Sequence, residues 1–179
     1  MAEVIEVYKE SFPALRLIGK RYTDEDRGPE GGFADVWKRW FANNDFDVLE
    51  QLRRAVPGRG PDGSVTEDEL SHVAYMRFVD GVFEYWVGML FPEGTEVPEG
   101  YSYVDVRPAD VGICFLRGRD ETGELYGPEA FELCLAAIQK RGWHMAEGGW
   151  CFERYHPSRF DTEDEDGNVI LDFGIELKG

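Results

Sequence analysis

The chain has 179 residues, 42% of them hydrophobic and 14% aromatic. That is enough apolar material for one packed domain, or one built from two similar halves, and it excludes a disordered chain. With 36 acidic and 19 basic residues the formal net charge is −17, which repels phosphate backbones and argues against direct contact with nucleic acid.

The N-terminal "MAEVIEVYKE" is acidic and has no signal-peptide core. No apolar run reaches bilayer length, so a cytoplasmic location without a membrane partner is expected. "ALRLIGKRYT" (14–23) reads as a strand. In "GGFADVWKRWFANNDFDVLEQLRRA", residues 31–55, Phe33, Val36, Trp37, Trp40 and Phe41 recur at helical spacing. "NND" at 43–45 breaks or recaps that helix, and Val48, Leu49 and Leu52 continue its apolar face. "VPGRGPDGS" (56–64) is a loop, and Thr66 with Glu69 forms a capping-box pattern for a helical turn at 67–71.

"HVAYMRFVD" (72–80) and "VFEYWVGMLF" (82–91) flank a glycine-containing turn and predict a hairpin. After the loop 92–100, a strand signal over 101–118 is interrupted by Pro108, which cannot donate to a ladder. "GPEAFELCLAAIQKRGW" (127–143) is the second helix, with Pro128 in its first turn and Gly142 at its exit. Strands at 149–156 and 169–177 follow, joined by the acidic "SRFDTEDEDGNV".

This order is strand–helix–strand–strand, twice. It predicts an α+β fold: a mostly antiparallel sheet with two main helices on one face and a ligand cleft between the halves. One domain spans 1–179, with repeats at about 3–91 and 101–178. Strand 82–91 is apolar on both faces, so the face turned away from the helices is expected to line the cleft.

Glu153 stands among aromatics in "GGWCFERYHP" (148–157). Alternation puts it with Cys151 and Tyr155, away from Trp150, Phe152 and Arg154. Either it pairs with a strand cation such as Arg16 or Arg77, or it faces something outside the chain. Tyr155 is core or a hydrogen-bond donor to a ligand. Trp37 and Trp40 pack in the core, or one of them reaches the cleft. Of Phe83, Tyr85 and Trp86, one set packs on the helices and the other stacks on a ligand. Glu84 and Glu147 read as solvated or edge charges. Cys114, Cys134 and Cys151 are odd in number and scattered, so reduced thiols are expected. Cys151 and His156, five apart, fall on opposite faces, which excludes a nucleophile pair. The histidines lack metal-ligand spacing, and "TEDEDG" (162–167) fails the calcium-loop pattern at Phe173. No metal or cofactor is expected.

"FPALRLIGKRY", "YWVGMLFPEG", "VPEGYSYVDVRPADVGICFLRG" and "WCFERYHPSRF…VILDFGIEL" together resemble the GyrI-like small-molecule-binding domain, over about residues 3–177. That domain is the effector-binding part of multidrug-responsive transcription activators and also occurs alone. The resemblance implies two strand–helix–strand–strand repeats with a central cleft. It also implies a glutamate on the penultimate strand facing cationic, aromatic ligands, and Glu153 is the matching position. The chain departs from regulator members in having no DNA-binding segment, and in the long "VPGRGPDGSVTEDELSH" insertion. The expected function is therefore binding of a hydrophobic or cationic small molecule by Glu153, Tyr155, Trp37, Trp40, Phe83, Tyr85 and Trp86. One alternative is a hydrolase of electrophilic cyclopropane natural products, with Glu153 as general base and Tyr155 orienting water or ligand. A second is a protein–protein role on a gyrase-like partner.

Overall fold

The computed structural model describes every residue from Met1 to Gly179. It is an α+β fold of eight strands and four α-helices. In chain order these are β1 (Glu3–Phe12), β2 (Leu15–Tyr22), α1 (Ala34–Ala42), α2 (Asp45–Ala55), β3 (His72–Val79), β4 (Val82–Pro92), β5 (Ser102–Val106), β6 (Ala109–Gly118), α3 (Pro128–Lys140), β7 (Cys151–Tyr155), α4 (Pro157–Phe160) and β8 (Val169–Glu176). The chain divides into two compact units. One is Ala14–Arg107; the other joins Met1–Pro13 to Pro108–Gly179.

Each unit takes in one strand by an exchange along the chain. β1 pairs antiparallel with β6 in the later unit, and β5 pairs antiparallel with β2 in the earlier one. The crossings fall beside Pro13 and Pro108, where a missing N–H ends each ladder. Two elements escape the sequence reading: β1, whose burial does not follow a clean alternation, and the single turn α4.

In the unit Ala14–Arg107 the strand order is β3-β4-β2-β5. The β3–β4 turn has Asp80 at φ 51° and Gly81 at φ 79°, the left-handed pair that a two-residue hairpin requires. It fixes the register Val79↔Val82, Phe78↔Phe83 and Arg77↔Glu84. The helical signal over 31–55 resolves into two helices because Asn44 adopts φ 55°, a conformation asparagine tolerates. Val36 and Trp40 of α1 and Phe46 and Leu49 of α2 are buried. They pack over a core that includes Ile18, Val87, Met89 and Phe91. The insertion carries its predicted capping box. The Thr66 backbone N–H donates to Glu69 at 3.1 Å, and the Glu69 N–H donates to the Thr66 hydroxyl at 3.3 Å. Arg53 of α2 pairs with Glu69, which ties the insertion to the helix.

In the other unit the order is β1-β6-β8-β7. Cys114, Leu116, Leu171 and Ile175 lie buried beneath Cys134 and Ile138 of α3. On the opposite face Phe152 lies flat against Gly174: a β-carbon there would meet the phenyl ring at 1.8 Å. The acidic segment 162–167 is a hairpin connection organised by Asp164, which accepts the N–H groups of Asp166 and Asn168 at 2.9 Å each.

Candidate functional site

The aromatic residues of the unit Ala14–Arg107 lie on two faces of its sheet. Phe83 and Tyr85 face the helices. Tyr85 stacks on Phe33 with ring centroids 4.0 Å apart and interplanar angle 8°, and the Trp37 indole donates to the Tyr85 hydroxyl at 2.8 Å. The Arg27 guanidinium covers Phe33 and Phe83 at 4.7 and 5.3 Å. Trp37, Phe83 and Tyr85 thus form one cluster. Trp40 is 1% exposed and donates to the Tyr22 hydroxyl at 2.7 Å, so it is core.

Trp86 points to the other face, with Glu84. Here the sequence reading needs correction. Glu84 is not a solvated charge: it is 5% exposed. It accepts from Arg21 at 2.6 Å, from Arg77 at 2.8 Å and from the Trp86 indole at 3.0 Å. Burial alone would raise its pKa; the indole and the two guanidiniums outweigh it and hold the carboxyl at about 2. The signal for half of this cluster was in the sequence. A two-residue Asp80–Gly81 turn places Arg77 opposite Glu84 by counting.

Glu153 lies in β7 of the other unit and is 6% exposed. Its cross-strand neighbour on β8 is Phe173, which in turn lies opposite Cys114 on β6. That face carries α3: Phe131 meets Phe173 edge-on at 6.1 Å, and the Cys114 thiol donates to the Cys134 carbonyl at 3.6 Å. Glu153 therefore sits on the helix-bearing face of its sheet, whereas the sequence pattern predicts a binding surface on the helix-free face. Its hydrogen-bond donor is the Tyr155 hydroxyl, at 3.3 Å.

No basic side chain pairs with Glu153. Arg154, next in sequence, points to the opposite face, where it pairs with Asp172 at 2.9 Å and Glu10 at 3.6 Å. The two cations weighed as partners are committed elsewhere: Arg16 to Asp105 at 2.8 Å and Arg77 to Glu84. Burial pushes the Glu153 carboxyl up to about 7, and the Tyr155 hydrogen bond opposes that rise only in part.

The thiols around it are suppressed. Burial, then the Glu153 charge, pushes Cys151 up to about 12. Cys134 is raised by its contact with Cys114, by burial and by Cys151 and Glu153. Such thiols stay protonated and are poor nucleophiles. His156 is no partner for Cys151: its Nδ1 accepts the Ser158 N–H at 3.1 Å and caps α4. No cluster of three or more His, Cys, Asp or Glu is placed to hold a metal, and no helix is long and apolar enough to cross a membrane.

No family profile and no curated protein matches the chain by sequence. Solved structures do match its fold. A protein assigned to bacterial transcription regulation, from Staphylococcus aureus MU50, is 15% identical with a TM-score of 0.64, over 97% of this chain and 99% of that one. SAV2435, solved with tetraphenylphosphonium bound, is 14% identical with a TM-score of 0.67, over 98% and 95%. The EcmrR C-terminal domain is 7% identical with a TM-score of 0.54, over 97% of each chain. At these identities the likeness is one of fold.

Proposed function

We propose that the chain binds lipophilic small molecules, cations above all, through Glu153, in the manner of a GyrI-like effector-binding domain. One observation carries this reading. Four acidic side chains are buried: Glu69, Glu84, Glu153 and Asp172. Glu69 pairs with Arg53, Glu84 with Arg21 and Arg77, and Asp172 with Arg154 and Arg159. Glu153 alone has no internal cation, in a wall of Phe173, Tyr155 and protonated thiols. A buried carboxylate is stable in its charged form only when a counter-charge reaches it. A delocalised organic cation supplies that charge and suits an aromatic surround. The fold it shares with SAV2435, which holds tetraphenylphosphonium, supports the same ligand class.

The test is calorimetric titration of the wild-type chain and Glu153→Gln at pH 8 with tetraphenylphosphonium, and with triphenylphosphine oxide as a neutral aryl control. The reading requires the variant to lose affinity for the cation and to keep its affinity for the oxide. Equal cation affinity in both proteins would refute it. Glu153 beside a tyrosine hydroxyl, titrating near neutrality, also suits a general base acting on water. Conversion of an electrophilic cyclopropane to its water adduct, abolished in Glu153→Gln with binding retained, would move the reading from capture to hydrolysis.

A further inference from the structure

β7 runs directly into α4, and the two residues at the end of that turn diverge to opposite faces of the sheet. Arg159 turns to the face of Asp172, donating at 2.8 Å to Oδ1 and at 2.5 Å to Oδ2, and lies over the Phe115 ring at 4.4 Å. Asp172 is fully buried and Arg159 is 24% exposed, so the acid end of this clamp is shielded from water. Phe160 turns to the face of Glu153 and meets the Tyr155 ring edge-on, with centroids 4.8 Å apart and an interplanar angle of 88°. The turn itself is short and self-capped. Pro157 opens it, the His156 imidazole takes the Ser158 N–H, and the His156 carbonyl takes the N–H groups of Arg159 and Phe160 at 3.1 and 2.8 Å.

We propose that α4 is a positioning element for the Glu153 site, in which Phe160, held by the Arg159–Asp172 clamp, fixes the Tyr155 ring so that its hydroxyl donates to the Glu153 carboxylate. The proposal rests on the reading of Glu153 as the ligand's counter-charge. It adds what sets that residue's readiness to ionise. Tyrosine has two side-chain torsions, and a hydroxyl at 3.3 Å is lost by a small swing of the ring. An edge-on aromatic contact restrains that swing. The hydrogen bond favours the charged carboxylate, which is the form a cation needs. The titratable groups that the Glu153 charge reaches are Cys151 on its own strand and Cys134 on α3, and Cys114 of β6, on the same face, donates its thiol to the Cys134 carbonyl. Cys151 and Cys134 are neutral thiols at neutral pH, so the Tyr155 hydroxyl is the adjustable group. Phe160 thereby acts on ligand selection without touching ligand.

The experiment follows the Glu153 carboxyl by carbon-13 NMR in ligand-free protein labelled at glutamate, with Glu153→Gln assigning the resonance. Tyr155→Phe raises the titration midpoint by about half to one pH unit, the equivalent of one hydrogen bond. Phe160→Ala raises it in the same direction, and Phe160→Tyr, which keeps the aromatic edge, restores it. The double variant Tyr155→Phe/Phe160→Ala titrates where Tyr155→Phe does, because the second change acts only through the first. Arg159→Gln gives a smaller rise and serves as an independent route should Phe160→Ala fail to fold. In cation titrations at pH 7, Phe160→Ala weakens tetraphenylphosphonium by up to about twofold to fivefold, the fall in ionised Glu153 that a half-unit to one-unit rise from about 7 produces, and the loss disappears by pH 9. An unmoved midpoint in both Phe160→Ala and Arg159→Gln, or full additivity in the double variant, overturns the proposal and leaves the binding reading standing. A moved midpoint with cation affinity indifferent to Glu153→Gln keeps the positioning and overturns the binding reading instead.

Discussion

Glu84 and Glu153 are built alike and behave oppositely. Each sits in a strand after a phenylalanine, in Phe83-Glu84-Tyr85-Trp86 and Phe152-Glu153-Arg154-Tyr155. Each is nearly sealed from water, at 5% and 6% exposure. Each accepts a hydrogen bond from an aromatic side chain two residues on, Trp86 or Tyr155. What differs is the cross-strand neighbourhood within each unit. Glu84 lies opposite Arg77 on β3, and Trp86 beside it lies opposite Arg21 on β2. Glu153 lies opposite Phe173. The same local motif yields a closed ion cluster at about 2 and a carboxyl without a cation at about 7. The lesson is that strand register, rather than the motif, decides whether a buried acid meets a cation of its own chain.

The largest effect of that difference is in the pH dependence of stability. Below about 4.5 Glu153 is protonated in both folded and unfolded chains and contributes nothing. Between 4.5 and about 7 the unfolded chain releases its proton while the folded one keeps it, so stability falls as pH rises, by about 3 kcal/mol in full. Glu84 has the opposite sign. Its folded value lies below 4.5, so it contributes about 3 kcal/mol above 4.5 that is lost as pH falls toward 2. Urea midpoints of wild type and Glu153→Gln should coincide near pH 4 and separate steadily to pH 8, with the variant the more stable. Parallel curves would mean that Glu153 ionises as freely as a surface acid.

Removing the closed cluster should cost rather than gain. Glu84→Gln leaves two guanidiniums facing a neutral amide and should destabilise the fold by about 2–3 kcal/mol at pH 7. That is below the range for a fully sealed pair because Arg21 and Arg77 are 45% and 32% exposed. A midpoint equal to wild type would place Glu84 back among the solvated charges. The ligand arm of the comparison is of similar or smaller size. Glu153→Gln should weaken tetraphenylphosphonium by about 2 kcal/mol at pH 8, and Glu84→Gln should leave the cation's affinity within twofold. Loss of cation binding in Glu84→Gln alone would reverse the assignment of the two acids.

Much of this architecture was legible. The two-helix break at "NND", the Pro108 interruption, the capping box at Thr66 and Glu69 and every hairpin strand follow from local chemistry acting within a few residues. So did the facing of Glu153 with Cys151 and Tyr155, which alternation alone dictates. The exchange of β1 and β5 was not legible, because nothing local distinguishes a strand that pairs with its neighbour in sequence from one that pairs with a partner about a hundred residues on. Glu84 was misread for the same reason: Arg21 reaches it only through the β2–β4 register. Trp40 and Trp86 offer the same aromatic chemistry in sequence, yet one is sealed under a helix against Tyr22 and the other bonds to Glu84. α4 escaped because one turn of four residues carries no periodicity to read.

The smallest expected effect is the sharpest probe of the parallel between the two strands. Trp86→Phe and Tyr155→Phe each delete one aromatic donor and keep most of the ring. In the first, Glu84 Oε1 still accepts from Arg77 and Oε2 from Arg21, so the carboxylate stays ionised. The variant then loses the worth of one hydrogen bond, about 1 kcal/mol, at pH 5 and pH 8 alike. In the second, the carboxylate has no guanidinium to fall back on and relieves the loss by keeping its proton. At pH 5 Glu153 is already protonated, so deleting a donor to its charged form costs nothing there through Glu153. At pH 8 the cost emerges. Urea midpoints of both variants at the two pH values should therefore give a pH-independent loss for Trp86→Phe and a loss that grows with pH for Tyr155→Phe. A flat response in both would show that Glu153 already holds its charge at pH 5 without an external cation, and the contrast between the two acids would collapse.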